Sequence, residues 1–264
     1  MSDVRKMGRQ VPALKTPDIT LRVTRTGADR GLLIGESGTG KSTLAARIIE
    51  LFRQLYLPTG RILIADTKPR WRGTTVLSGD SISKRYSKMV EGDSIDSMIL
   101  DRPADWAIVW DPQVNPSRTV LMQPDLRRDY SDDAEIARQV FYINRFFRTL
   151  DPREPSLLYI DEGMDFFGPT GAAKSGTIIQ RCYRAGRERG LVTLMGTQRP
   201  ACITQLAMSE SNVKYLFALG SDDDLDTLRK RGFPRSVQPI DDDYQFRLLR
   251  DRKLYPRLLT LRME

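Results

Sequence analysis

Two stretches of this chain carry residue types that could handle phosphate. Gly35-Glu36-Ser37-Gly38-Thr39-Gly40-Lys41-Ser42-Thr43 fits the pattern G-x-x-x-x-G-K-[ST]. Its glycines let successive backbone N–H groups turn inward and cradle phosphate oxygens at a helix N-terminus, where the dipole favours anions. Lys41 is then placed to reach β- and γ-phosphates, and the Ser42 hydroxyl to ligate Mg²⁺. Far downstream, Asp161 and Glu162 close the apolar run Ser156-Leu157-Leu158-Tyr159-Ile160. One carboxylate can hold Mg²⁺, usually through water. The other can orient and deprotonate an attacking water. Phosphoryl transfer asks for little beyond positioning and charge stabilisation, so the pair points to hydrolysis of ATP as well as its binding.

Three further groups bear on the same chemistry. Gln198 ends the apolar run Leu191–Met195 and its Gly196-Thr197 extension, where an amide could contact the γ-phosphate or the lytic water. Arg184, Arg187 and Arg189 cluster just before that run. ATPases of this chemistry often take a positive charge from a neighbouring subunit; if one of these arginines supplies it, the protein works as a ring or filament. Otherwise they form a solvated basic helix end, which the helix dipole also favours. Asp66 and Lys68 follow the apolar run Arg61–Ala65, with Arg70 and Arg72 close behind. In an open α/β sheet, strand C-terminal ends carry function, so these too sit where a ligand or partner would be met.

Composition removes other chemistries. There is no histidine among the 264 residues, which excludes His acid–base catalysis and His-ligated metals. Cys182 and Cys202 lack metal spacing and cannot form a disulfide framework, which fits a reduced, cytoplasmic setting. No apolar run approaches the length of a membrane span, and no secretory leader is legible. Lys and Arg outnumber Asp and Glu by 42 to 34, a net charge of +8 that favours a polyanionic partner.

The elements that must position these residues are short apolar runs alternating with helical periodicity. Ile19–Arg25 alternates like a strand with one wet face. Gly31–Ile34 reads as a buried strand into the glycine loop, and Thr43–Phe52 as a helix with Leu44, Ile48, Leu51 and Phe52 on one face. Arg61–Asp66, Trp106–Trp110, Thr119–Met122, Leu191–Met195, Val213–Leu219 and Tyr244–Leu249 read as further strands. Ser78–Met89, Asp132–Leu150, Ala172–Arg187 and Asp222–Arg231 read as helices. Alternating strands and helices predict an α/β fold with a largely parallel central sheet and helices on both faces. Residues 1–18 read as a basic N-terminal arm and 19–264 as one ATPase domain, with 73–104 as a candidate insertion.

Taken together, Gly35-x4-Gly40-Lys41-Ser42, Asp66-Thr67-Lys68, Leu158–Glu162, Gly186–Val192 and Gly196-Thr197-Gln198-Arg199-Pro200 resemble the FtsK–HerA superfamily of DNA-pumping ATPases over about residues 28–235. The resemblance implies a RecA-like P-loop NTPase with Mg²⁺-ATP at subunit interfaces, in a homo-oligomeric ring, usually a hexamer, around double-stranded DNA. It matches Lys41 and Ser42 to Walker A, Asp161 and Glu162 to Walker B, Gln198 to the polar sensor, and Arg187 to the segment that carries a trans-acting arginine. The sequence lacks the membrane anchor, winged-helix domain and N-terminal barrel of other branches. It is similar in extent to the genome-packaging ATPases of tailless, internal-membrane viruses. That branch implies a capsid portal or membrane protein as partner, and residence in the host cytoplasm or with the virion.

Two other readings stay open at this stage. One is a plasmid- or mobile-element DNA transfer or processing ATPase of the same superfamily. The other, of a different class, is an ATP-dependent switch or assembly factor acting on protein. An ABC subunit fits poorly, because Leu77-Ser78-Gly79 lies far from Asp161 where that signature should sit just before it. A nucleotide kinase fits poorly too, since Asp161-Glu162 suits attack by water.

Overall fold

The computed structural model describes residues 19–24, 26–56, 59–65, 110, 113, 118–122, 132–167 and 172–261. The basic arm over 1–18, Asp66, the Lys68–Arg72 loop, the 73–104 segment with the helix expected over Ser78–Met89, and Trp106–Val109 lie outside these residues. Trp110 is a buried turn residue.

Strands β1 (Val23–Thr24) and β2 (Gly27–Ala28) pair antiparallel as a tight hairpin. Of the expected strand over Ile19–Arg25, only Val23–Thr24 is strand among the described residues, and Ile19 and Leu21 ahead of it are buried. β3 (Arg30–Ile34) runs into the glycine loop, and α1 (Lys41–Tyr56) leaves it. Leu44, Ile48 and Phe52 recur every four residues on α1 and are fully buried. β4 (Arg61–Ala65), β5 (Thr119–Met122) and α2 (Asp132–Arg148) follow. β6 (Ser156–Ile160) ends at the two carboxylates, and the five-residue α3 (Gly163–Phe167) starts directly after them.

α4 (Ala172–Ala185) stops two residues short of the expected end. Arg187–Arg189 form a separate 3₁₀ turn closed by Gly190, whose φ of 69° is the left-handed conformation that suits glycine. β7 (Leu191–Thr197) is wholly buried and runs two residues past its apolar core. A 3₁₀ turn at Pro200–Cys202, α5 (Gln205–Glu210), β8 (Val213–Leu216) and α6 (Asp222–Lys230) come next. β9 (Gln245–Arg250), β10 (Lys253–Leu254) and β11 (Leu259–Thr260) end the described chain.

The main sheet runs β10-β9-β8-β3-β7-β6-β4-β5, with β11 paired to β9. The six strands from β8 to β5 are mutually parallel, and β9, β10 and β11 pair antiparallel. Alternation along each strand splits the core into two layers. Leu33, Ile62, Ile64, Leu157 and Tyr159 pack with α1 on one face. Leu32, Ile34, Leu63, Leu158 and Ile160 pack on the other with α2 residues Ile143 and Phe146 and α4 residues Ile179 and Cys182. The fold is therefore α/β, with a large, mostly parallel sheet and helices on both faces.

Candidate active site

Because these strands are parallel, the chain leaves β3, β6, β7 and β8 at one edge of the sheet. The glycine loop is tied there at its start. Gly35 N–H donates to Thr197 O at 3.2 Å and Glu36 N–H to Ala218 O at 2.8 Å, so the exits of β7 and β8 grip it from both sides. A Cβ on Gly35 would stand 2.5 Å from Phe217 Cβ, which requires glycine at that position. Gly40 has φ of 101°, and a Cβ on it would meet Tyr244 Cδ1 at 2.9 Å. The loop is closed internally as well. Glu36 O accepts from Thr39 Oγ1 at 2.8 Å and from Lys41 Nζ at 2.6 Å.

The carboxylates face this loop. Ser42 Oγ donates to Asp161 Oδ1 at 3.4 Å, and Tyr159 OH donates to the same oxygen at 2.6 Å. Asp161 is thus braced from the strand it follows and linked across to the head of α1. Gln198 holds Glu162 through two bonds. Glu162 Oε1 accepts from the Gln198 backbone N–H at 3.3 Å, and Glu162 Oε2 from Gln198 Nε2 at 2.8 Å. Lys41, Asp161 and Glu162 are only 9, 7 and 3% exposed. Charged groups this buried persist where they are paired or hydrogen-bonded, as these are.

Sheet order explains the convergence. β7 lies between β3 and β6, so Gln198 at its end stands between the loop and the carboxylates. The structure therefore brings together Ser37, Gly38, Gly40, Lys41, Ser42, Thr43, Asp161, Glu162 and Gln198 around one pocket. Glu36 and Thr39 belong to the same loop through the bonds above. Gln198, expected at the γ-phosphate or the lytic water, lines this pocket, and its amide clasps Glu162.

Arg187 lies elsewhere. It precedes β7, so it occupies the opposite edge of the sheet, a strand's length of about 23 Å away. It is exposed and donates from Nε to Thr26 O at 2.9 Å, lying across Gly27 of β2. Arg189 sits over the Phe147 ring at 5.0 Å and donates to Phe147 O. Arg184 is exposed at the end of α4. None of the three is at this chain's own loop. Tyr244 is the pocket residue that sequence reading missed. The alternation predicts it as the first strand residue, but β9 starts at Gln245 and Tyr244 adopts φ of 61°. No spacing rule announces a tyrosine in that conformation.

No protein-family model and no curated protein matches the sequence. Solved structures with a similar fold do exist. The genome-packaging NTPase B204 of Sulfolobus turreted icosahedral virus 2, in complex with ATPγS, aligns with a TM-score of 0.53 at 16% identity, over 89% of this chain and 98% of B204. VirB4 of Thermoanaerobacter pseudethanolicus aligns with a TM-score of 0.58 at 9% identity, over 89% of each chain. ATPases 2 and 3 of EssC from Geobacillus thermodenitrificans align with a TM-score of 0.52 at 14% identity, over 89% of this chain and 39% of theirs. The resemblance read from the motifs thus extends to the fold, and at these identities the likeness is one of fold.

Proposed function

We propose that this chain is a Mg²⁺-dependent ATPase that drives double-stranded DNA, and that it packages a viral genome in the host cytoplasm. One observation carries the enzymatic part: Lys41, Ser42, Asp161, Glu162 and Gln198 meet at one pocket although 157 positions separate the first from the last. The backbone amides and Lys41 would hold the triphosphate. Ser42 Oγ and Asp161 Oδ1, 3.4 Å apart, are hard oxygen ligands of the kind that Mg²⁺ takes beside substrate phosphates. Magnesium bound there supplies charge neutralisation for the phosphoryl oxygens.

Glu162 accepts a proton from the water as the water oxygen bonds to the γ-phosphorus. The bond to the β-phosphate oxygen breaks, and ADP leaves with that electron pair. Gln198 keeps the Glu162 carboxylate from rotating away, which is a positioning role. The proposed trans role of Arg187 fits its exposed seat on the far edge of the sheet, where only a neighbouring copy of a ring could bring it to a loop.

The DNA reading draws on the net charge of +8 and on the fold shared with B204 over 98% of that chain. Its RecA-like, hexameric form and a portal partner belong to the same proposal. Triplex displacement tests it. The wild-type protein with ATP should strip a third strand from a long duplex, and Glu162→Gln should not. ATP hydrolysis without displacement at any duplex length would overturn the translocase reading.

A further inference from the structure

Tyr244 is held at the loop by backbone bonds on both of its sides. Its N–H donates to Thr39 O at 3.0 Å, and its carbonyl accepts from Leu261 N–H at 2.8 Å. These bonds fix it at φ of 61°, which is rare for a bulky side chain and persists where the surroundings over-determine it. The result is a ring pressed onto Gly40, and Leu261 Cδ1 also crowds that glycine, 3.2 Å from the same Cβ position. The tyrosine hydroxyl makes no hydrogen bond to a described residue, so the ring is the part of this side chain that the fold presents.

Sheet order gives the pocket a direction. β6 and β7, which carry Glu162 and Gln198, flank β3 on one side; β8 and β9 flank it on the other. A triphosphate whose γ end meets Lys41 and Glu162, and whose remaining atoms lead away from the carboxylates along the pocket, reaches the β9 flank. Tyr244 stands on that flank and lines the same pocket. We infer that the Tyr244 ring, backed by Leu261, is the wall on which the nucleobase stacks. This rests on the reading of Gly35–Thr43 as a nucleotide-binding loop. Aromatic faces stack on any base and read none of its hydrogen-bonding edge. The ligand class is therefore a nucleoside triphosphate with little preference among bases.

Equilibrium binding to the full chain with Mg²⁺ tests this, using ATPγS, GTPγS and inorganic tripolyphosphate as probes. Tyr244→Ala should raise the Kd of both nucleotides about tenfold and leave that of tripolyphosphate within about twofold. Tyr244→Phe should bind all three as the wild type does. Unchanged nucleotide affinity in Tyr244→Ala overturns the inference. So does an equal loss of tripolyphosphate, which would make Tyr244 a prop for the loop through Thr39. A Tyr244→Phe variant as weak as Tyr244→Ala also overturns it, by assigning the effect to the hydroxyl. A wild-type protein that binds none of the probes fails the nucleotide-site reading instead. Photolabelling of the wild-type protein with 8-azido-ATP needs no variant to fold: label on Tyr244 or Leu261 supports the inference, and label confined to other residues contradicts it.

Discussion

Glu162 has both carboxylate oxygens engaged by Gln198, one through the backbone and one through the side chain. A general base must keep a fixed direction toward the water it deprotonates, and a clasp of this kind fixes direction without neutralising the charge. Glu162→Gln should therefore keep ATP affinity within about threefold and lower kcat by at least about a hundredfold. Gln198→Ala leaves the backbone bond in place and should lower kcat by roughly tenfold with KM almost unchanged. Steady-state kinetics on both variants check the ordering; a large rise in KM in Gln198→Ala would place that amide on the substrate. Lys41, Ser42, Asp161 and Glu162 were legible in the sequence because phosphate chemistry restricts both residue type and spacing. The clasp was not, because it depends on two strands being neighbours. Tyr244 was not, because its place depends on a backbone conformation set by Thr39 and Leu261.

At the scale of elements, Arg231 ties the turn that follows Gln198 to the helix α6. It follows α6 and donates to Pro200 O at 2.8 Å, to Ile203 O at 2.6 Å and to Ala201 O at 3.3 Å. Those carbonyls belong to the turn that follows Gln198, so the guanidinium ties that turn to the end of α6. Arg231→Ala removes a donor from each of these carbonyls and should cost about 2 kcal/mol of stability. It should also lower kcat by loosening Gln198. Lysine cannot reproduce a forked donor, so Arg231→Lys should fall between. Urea denaturation and kcat measured together check this; lost stability with unchanged kcat would separate the turn from the site. The buried parallel strands were legible as continuous apolar runs, because both of their faces are covered. The hairpin of β1 and β2 and the strands β10 and β11 were less legible, since two-residue strands carry no periodicity. The short helix Gly163–Phe167 is also below the length at which helical spacing can be seen.

At the scale of the molecule, what sequence could not supply was strand order. Six parallel runs could be arranged in many ways, and only the arrangement with β7 between β3 and β6 sets Gln198 between loop and carboxylates. The same arrangement leaves Arg187 on the far edge of the sheet. If it serves a neighbouring copy, mixtures of Arg187→Ala and Lys41→Ala chains should recover ATPase activity that neither has alone, because some interfaces then combine an intact loop with an intact arginine. No recovery at any mixing ratio would count against that role. A motor on DNA must also sense its track, and contacts to phosphates weaken steeply as salt rises. The most direct measurement is steady-state ATP turnover with and without double-stranded DNA at two salt concentrations. Stimulation by DNA that fades at the higher salt is the predicted result; turnover indifferent to DNA at both would contradict it.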